Sequence, residues 1–239
     1  MSEYYQIEAI GHIENDFTDK FGIPRQSGIV DSVLSKIIFE PDFREKEAFR
    51  KIEQFSHLWL IWRFSENEGC RWSPTVRPPK LGGNKRVGVF ASRSPFRPNG
   101  LGISCVKFER IEFTREYGPV LYVKGADLMN KTPIIDIKPY VPYSDAVLNA
   151  SGGFSLNKDE INFEVVDADG YLKTVSAEKA KSIIEILKQD PRPGYQNDEN
   201  RIYKMKFGGY EIHFSVINEK INIENIIRTD KDRQLISFN

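Results

Sequence analysis

Short apolar or alternating runs, separated by turn residues, dominate the first half of the chain. Seven of them have the length and the β-branched or aromatic content of strands. They are residues 5–10, 35–39, 57–64, 87–91, 103–113, 120–125 and 134–137. Short strands joined by irregular loops predict a mostly β fold, with an antiparallel β-barrel or sandwich in this half.

One segment between these strands has helical spacing instead. Asp42 and Glu45 have the spacing of a capping box ahead of residues 46–54. Apolar side chains recur there as on one helix face: Ala48, Phe49, Ile52 and Phe55. The pattern therefore predicts one helix over residues 46–54.

The pattern changes at residues 149–153, where the sequence NASGG is small and turn-forming. Beyond it we predict a strand over 161–166, a helix that begins after Ser176, and a hairpin of strands 203–207 and 210–217. Gly208 and Gly209 connect the hairpin and can both take the positive φ of a type I′ turn. With a last strand over 220–227, the sequence predicts two domains: a β-barrel over 1–148 and a small α+β domain over 153–239.

Composition is that of an ordinary folded protein: 239 residues, 40% hydrophobic and 28% charged. No apolar run approaches the roughly 18 residues of a membrane helix, and the first residues lack the layout of a signal peptide. We therefore expect no membrane partner and a cytoplasmic location. Cys70 and Cys105 form no CxxC and the three histidines are scattered, so we expect reduced thiols and no metal site.

The net charge of zero hides an asymmetry. Residues 69–108 contain eight basic and no acidic side chains, so the rest of the chain carries an equal negative excess. Five of the eight are arginines, whose planar guanidinium suits bidentate recognition of phosphate. The segment is either a solvated basic face or a surface for phosphates of a nucleic acid, and its arginine content favours the second.

Three strings combine arginine or lysine with proline or glycine, which stiffens the backbone that presents the charge. They lie at 23–26 (IPRQ), within 77–104 and at 136–143 (DIKPYVPY). Glycine-rich nucleotide loops of the GxGxxG and GxxxxGK[ST] kinds are missing, as are GxSxG and HExxH. Dinucleotide binding and the common hydrolase mechanisms therefore have little support.

The chain resembles the TsaA family, also called the TrmO-type tRNA methyltransferases, in five strings. They are, in order, IPRQ, FSHLWLIWRF, RPPKLGGNKRVGVFASRSPFRPN, DIKPYVPYSD and, at 190–195, DPRPGY. The resemblance covers residues 1 to about 145 closely and the second half mainly through DPRPGY. It implies a β-barrel that binds S-adenosylmethionine, a homodimer, and a small C-terminal domain that helps to hold tRNA. The implied reaction is N6-methylation of threonylcarbamoyladenosine, the modified base just 3′ of the anticodon.

The resemblance also implies a cofactor site. Its residues are Pro24, Arg25, Gln26, Ser65, Glu66, Arg93, Ser94, Pro95, Cys105, Ala126, Asp127, Leu128 and Met129. Asp127 is the expected anion for the ammonium or ribose of the cofactor. The chain has Phe64-Ser65 where related sequences have a histidine, so no imidazole contact is expected at that strand end.

Asp136 and Tyr140 are the candidate general bases, with Lys138 or Arg25 stabilising the anion that forms. The expected tRNA-binding residues are Arg77, Lys80, Lys85, Arg86, Arg97, Asp190, Arg192 and Tyr195. DPRPGY also has a plainer interpretation, in which Pro191 ends the preceding helix. Trp59 and Trp62 are expected to pack inside the barrel, whereas Trp72 could stack on RNA.

A second function remains open, that of a non-catalytic RNA-binding barrel that contacts phosphates and loop shape alone. The paired IPRQ and DIKPY loops favour the methyltransferase, because binding to the RNA backbone does not require them.

Overall fold

The computed structural model describes residues 4–67, 69, 71–78, 81, 84–155, 163–192 and 198–229. Eight strands lie in its first half: β1 (Gly11–Glu14), β2 (Leu34–Phe39), β3 (His57–Arg63), β4 (Thr75–Val76), β5 (Val87–Gly88), β6 (Leu101–Thr114), β7 (Gly118–Lys124) and β8 (Pro133–Pro139). Six of them form a closed antiparallel barrel in the order β1-β2-β7-β6-β3-β8, and β4 pairs with β5 as a separate ribbon. The predicted antiparallel β-barrel is therefore confirmed.

The alternation of buried and more exposed side chains along β3 shows which residues fill the barrel. Leu58, Leu60 and Trp62 point inward and are buried, whereas His57 and Arg63 at the ends of the strand are exposed. Gly102 lies opposite Trp62 in the register of β3 and β6, where any added side chain would overlap the indole ring. The glycine therefore provides the space that the large inward ring needs.

The prediction of a helix over residues 46–54 is wrong. The chain forms three short 3-10 turns instead: Pro41–Phe43, Lys46–Phe49 and Ile52–Gln54. Lys51 has a left-handed backbone with φ of 71°, which interrupts any continuous helix, and Glu45 makes no side-chain cap. Phe49 turns into the barrel core and packs edge-on against Phe39, with 4.8 Å between ring centroids. This tertiary contact outweighs the local helical spacing.

Two other predicted strands are shorter than expected. Residues 5–10 are not strand, because pairing begins at Gly11, opposite Phe39 of β2 and Ile134 of β8. The predicted strand 87–91 pairs only at Val87–Gly88 and then turns into the 3-10 segment Val89–Ala91.

The described residues of the second half form one mixed sheet and two α-helices. Its elements are α1 (Pro142–Asp145), β9 (Glu164–Val166), α2 (Ala177–Lys188), β10 (Tyr203–Phe207), β11 (Tyr210–Ile217) and β12 (Lys220–Arg228). The sheet order is β10-β11-β12-β9, with β9 parallel to β12. Ser176 caps α2 through its hydroxyl, and Gly208 and Gly209 both have positive φ in the hairpin, as the sequence predicts.

The core of the second sheet includes a segment from the first half of the chain. Phe17, Val30 and Val33 are buried there, together with residues of α2 and the sheet. Phe17 packs on Phe207, with 5.4 Å between ring centroids. Gly22 lies so close to Met205 that a Cβ would be 2.5 Å from the sulfur. Residues 16–33 therefore form one packed unit with the second sheet, and the domain division at 149–153 stays a prediction.

Candidate cofactor and nucleic-acid site

The centre of the candidate site is a carboxylate at one end of the barrel. Asp127 lies in the turn after β7 and accepts a hydrogen bond of 2.5 Å from the Ser104 hydroxyl. Ser104 is fully buried on β6, and its oxygen accepts a 2.9 Å hydrogen bond from the Trp62 indole nitrogen. The chain from Trp62 through Ser104 fixes the position of the Asp127 carboxylate.

Burial raises the pKa of Asp127 above its ordinary value. The Ser104 hydroxyl and the positive charge of Arg93 oppose this shift in pKa without cancelling it. The ionised carboxylate is therefore only partly compensated by the surrounding protein. A cationic or hydroxyl-bearing ligand at this place would supply the missing compensation.

The loop that follows Ile23 lies along the same end of the barrel. Gln26 accepts a hydrogen bond from the Arg93 guanidinium, and the Ser27 hydroxyl accepts one of 3.1 Å from the Cys105 amide. Gly28 donates its amide to the carbonyl of Gly125, at 2.8 Å. These bonds bring Gln26, Arg93 and Cys105 to the turn that carries Asp127. Because the predicted cofactor residues Pro24, Arg25 and Gln26 lie in it, we call residues 24–28 the cofactor loop.

Other predicted cofactor residues have different surroundings. The side chains of Ala126 and Leu128 are buried in the barrel core, and the Met129 carbonyl accepts hydrogen bonds from Thr132.

Glu66, in the 3-10 turn that begins at Ser65, lies 3.9 Å from the Lys20 ammonium. Ser94 and Ser92 offer their carbonyls to Arg97, which braces the backbone around Pro95.

Cys105 has a raised pKa, because burial and the nearby Asp145 charge both disfavour the thiolate. The neutral thiol is a poor nucleophile, so the pKa of Cys105 argues against a reactive role for its sulfur.

The three catalytic candidates lie on the outer wall of the barrel. Asp136 and Lys138 are exposed on β8, opposite Ile61 and Trp59 of β3. Trp59 in turn lies opposite Cys105, so this wall adjoins the cofactor loop through the bond between Cys105 and Ser27.

The Tyr140 ring lies beside Trp59, with 5.7 Å between ring centroids. The expectation that Trp59 packs inside the barrel is wrong, because its strand position points outward and its indole nitrogen donates to Asp145 at 3.0 Å. Trp62 does lie inside, as predicted.

Two residues of the DPRPGY string face the protein interior. Arg192 is 6% exposed and binds the Asp190 carboxylate with two hydrogen bonds, of 2.8 and 3.0 Å. In this arrangement the guanidinium is not presented to a phosphate, contrary to the expected tRNA contact. Tyr195 lies outside the described residues. The plainer interpretation agrees with the structure, since α2 ends at Lys188.

The basic segment forms a block of hydrogen-bonded loops beside the barrel. Ser73 donates its amide to the Phe96 carbonyl at 3.2 Å, and Val89 donates to Pro74 at 3.0 Å. Arg86 donates to the hydroxyl and carbonyl of Thr75, at 2.7 and 2.9 Å.

Within this block Arg77, Lys85 and Arg86 are exposed, whereas Arg97 is half-buried in its backbone contacts; Lys80 lies outside the described residues. Sequence reasoning missed Phe90, which is 77% exposed on the same block. It also missed Ser104, whose signal is a polar residue at an inward position of β6.

Among the described residues, no group of three or more metal-ligating side chains could hold a metal ion. In the same part of the chain, no helix is long and apolar enough to cross a membrane.

Two family models match the chain: the tRNA-methyltransferase O N-terminal domain at residues 12–146 and the TrmO C-terminal domain at residues 162–229. The tRNA (adenine(37)-N6)-methyltransferase of Escherichia coli strain K12 is 36% identical over 201 residues, which are 82% of this chain and 85% of that protein. A putative S-adenosylmethionine-dependent methyltransferase of Pseudomonas aeruginosa, RcsF, is 37% identical over 217 residues, 88% of this chain and 92% of that protein.

The crystal structure of TrmO from P. aeruginosa has a TM-score of 0.77 and 30% sequence identity, and the match covers 95% of this chain and 99% of that one. The two matched models and the similarity over nearly the whole length lead to one conclusion. The chain belongs to the tRNA-methyltransferase O family.

Proposed function

We propose that this protein transfers a methyl group from S-adenosylmethionine to N6 of adenine 37 in tRNA, with threonylcarbamoyladenosine as the substrate base. The observation that carries the proposal is the cluster of Asp127, Arg93, Gln26 and Cys105 at one end of the barrel. One relative named as a tRNA (adenine(37)-N6)-methyltransferase and one named as a putative S-adenosylmethionine-dependent methyltransferase are similar over more than four fifths of the chain.

The chemistry of the cluster fits the cofactor. S-adenosylmethionine carries an ammonium and a sulfonium, for which the partly compensated Asp127 carboxylate is a suitable partner. Arg93 is exposed and its positive charge acts on Asp127, so its guanidinium suits the cofactor carboxylate. Bound there, S-adenosylmethionine would supply the methyl group from its sulfonium. The protein residues hold the donor and orient it toward the wall that carries β8.

The target nitrogen needs help, because the lone pair of adenine N6 is delocalised into the ring. A carbamoyl substituent makes the remaining N–H more acidic, so a modest base can accept the proton as the nitrogen is alkylated. Asp136 and Tyr140 are the candidates, with Lys138 beside them on β8 to stabilise negative charge. Positioning of the nitrogen about 3 Å from the methyl group would supply much of the rate enhancement.

The tRNA is expected to lie on the basic block. Arg77, Lys85 and Arg86 are exposed there for phosphate contacts, and Trp72 and Phe90 are exposed for stacking on unpaired bases. Exposed aromatic rings can stack on unpaired bases but not on the bases of a duplex. We therefore place the anticodon loop, whose bases are unpaired, on this surface.

A homodimer is part of the proposal. Ile103, Tyr143, Val147 and Leu148 are exposed by 50, 93, 68 and 95%. Ile103 is on the same wall as the catalytic candidates, and the other three follow Tyr140 in the chain. Exposed apolar groups of this kind favour a partner surface, and light scattering should report a dimer that Leu148→Asp dissociates. Because tRNA is the substrate, we place the protein in the cytoplasm.

The decisive experiment combines the purified protein, S-adenosylmethionine and tRNA, followed by mass spectrometry of the digested nucleosides. Parallel reactions use tRNA with and without the threonylcarbamoyl group. We expect one added methyl group on the modified adenosine and far less on the unmodified one. If tRNA binds but no methyl group is added to either, the protein is the non-catalytic RNA-binding barrel instead.

A further inference from the structure

The cofactor loop is held by the second half of the chain as well as by the barrel. Arg25 donates from one guanidinium nitrogen to the carbonyls of Asp190 and Arg192, at 3.1 and 3.0 Å. On its other side the loop binds the barrel through Gln26 and Ser27, which contact Arg93 and Cys105. Residues 24–28 therefore bridge the two halves.

The two carbonyls that hold Arg25 are themselves held rigidly. Asp190 has a left-handed backbone, with φ of 46°, and its carboxylate accepts two hydrogen bonds from the Arg192 guanidinium and one from the Arg192 amide. The Arg192 guanidinium lies over the rings of Phe163 and Tyr203, at 5.8 and 5.7 Å from their centroids. A buried guanidinium with a bidentate partner is costly to displace, so the turn at 190–192 has one geometry.

Arg25 is the connection that makes this turn relevant to the site. It directly precedes Gln26, which accepts a hydrogen bond from Arg93, whose charge acts on Asp127. A change in the 190–192 turn moves the acceptors of Arg25, and a shift of Arg25 displaces Gln26 and Ser27 with it. Residues about 165 positions apart in the chain are thereby coupled at one loop.

We propose that Asp190 and Arg192 are positioning residues for the methyl-donor site, acting through Arg25 on the cofactor loop, and do not contact tRNA themselves. The proposal rests on the proposed function, because it takes the cofactor loop to be the donor site. In this proposal the second half of the chain has a second role besides holding tRNA. Its turn at 190–192 sets the affinity of the barrel for the methyl donor.

The rival explanation is that Arg192 binds a tRNA phosphate directly. The two explanations differ in which affinity depends on the pair. If Arg192 positions the loop, its loss weakens donor binding and leaves tRNA binding intact. If Arg192 contacts phosphate, its loss weakens tRNA binding and reduces the salt dependence of that binding.

The test uses the full chain with the double change Asp190→Asn and Arg192→Met, which removes both charges and leaves neither partner buried alone. The matched control is Lys179→Met, which breaks the 3.0 Å ion pair of Lys179 with Asp16 at another point of the same packed unit. Calorimetry measures S-adenosylmethionine affinity and filter binding measures tRNA affinity.

We expect the double variant to bind S-adenosylmethionine roughly tenfold more weakly, the effect of losing one hydrogen bond to a charged group. Its KM for the donor should rise, with kcat at saturating donor and the tRNA affinity unchanged. The Lys179→Met control should keep the donor affinity of the unmodified protein. Weaker tRNA binding with unchanged donor affinity would overturn the proposal, as would unchanged values for both.

Hydrogen exchange separates this proposal from the proposed function and covers a variant too unstable for binding measurements. In the single variant Asp190→Asn, without any ligand, the amides of residues 25–28 should exchange faster than in Lys179→Met. Equal exchange in the two variants contradicts the positioning role. Absence of donor binding by the unmodified protein, with this difference in exchange intact, contradicts the proposed function and the assignment of the loop to a donor, whereas the coupling of the 190–192 turn to residues 25–28 stands.

Discussion

Replacement of Asp127 by asparagine should stabilise the protein at neutral pH and weaken its binding of the methyl donor. Asparagine has nearly the same shape and can still accept the hydrogen bond from Ser104. What it lacks is the negative charge, whose burial raises the pKa of Asp127 in the folded state. The folded protein therefore holds the charged form at a cost that the unfolded chain does not have.

The sign and size of the stability effect follow from linkage. Below the unfolded pKa of about 4, Asp127 is protonated in both the folded and the unfolded chain, so its burial carries no charge penalty. Because the folded pKa is raised, the free energy of unfolding then falls as pH rises from that value through the folded pKa. Each unit of raised pKa corresponds to about 1.4 kcal/mol. For a chain of this length that amount moves the melting temperature by roughly 3–6 °C. Asp127→Asn should remove this loss.

Thermal melts between about pH 3 and 8 measure the effect. The advantage of Asp127→Asn should be absent at the acidic end and reach its full size above the folded pKa. Asp145→Asn is a control of opposite sign, because the Val141 amide and the Trp59 indole lower the pKa of Asp145. That variant should lose stability at neutral pH, a loss that shrinks as pH falls through the lowered pKa.

Donor binding should respond in the other direction. Loss of a charged partner for the cofactor cation should weaken S-adenosylmethionine affinity roughly ten- to hundredfold in Asp127→Asn. A variant that is less stable than the unmodified protein at neutral pH, or that gains stability equally at every pH, refutes the reasoning about burial. A more stable variant with full donor affinity refutes the assignment of Asp127 to the site.

Three further predictions concern Arg93, the basic block and the core of the second sheet. Arg93→Ala should abolish most methylation with little change in melting temperature, because the side chain is exposed; retained activity would make it ordinary surface charge. Alanine at Lys85 and Arg86 should make the salt dependence of tRNA affinity shallower by roughly 0.7–0.9 per lost phosphate contact, and an unchanged slope contradicts that surface. Phe17→Ala should cost about 3–5 kcal/mol in denaturant unfolding, whereas Phe90→Ala on the exposed block should change stability by less than about 0.5 kcal/mol; equal effects would show that Phe17 is not a core residue.

The strands of the barrel could be predicted from sequence because their alternation records which face is buried. Residues 57–64 show this, with Leu58, Leu60 and Trp62 on the inward face. The same alternation says that Trp59 points outward, whereas the almost wholly apolar run suggested that both of its faces are buried. The helix over 46–54 failed for a different reason: a helical spacing of apolar residues cannot reveal that Phe49 is needed inside the barrel, against Phe39.

The candidate site was only partly predictable. Motif strings locate Gln26 and Arg93 in the chain, the family resemblance adds Asp127, and the fold brings the three together. Three features depend on contacts between distant parts of the chain and have no local signal. They are the packing of residues 16–33 on the second sheet, the hold of Arg25 by the turn at 190–192, and the inward direction of Arg192. An arginine between prolines suggests an exposed charge, and the bidentate bond to Asp190 reverses that expectation.

A crystal structure of the protein grown with S-adenosylmethionine is the most direct test of whether the donor binds at Asp127. We expect the donor to bind at the end of the barrel, with its ammonium or ribose against Asp127 and contacts to Gln26 and Arg93. A donor bound at another place, with no contact to the Asp127 carboxylate, would contradict this site.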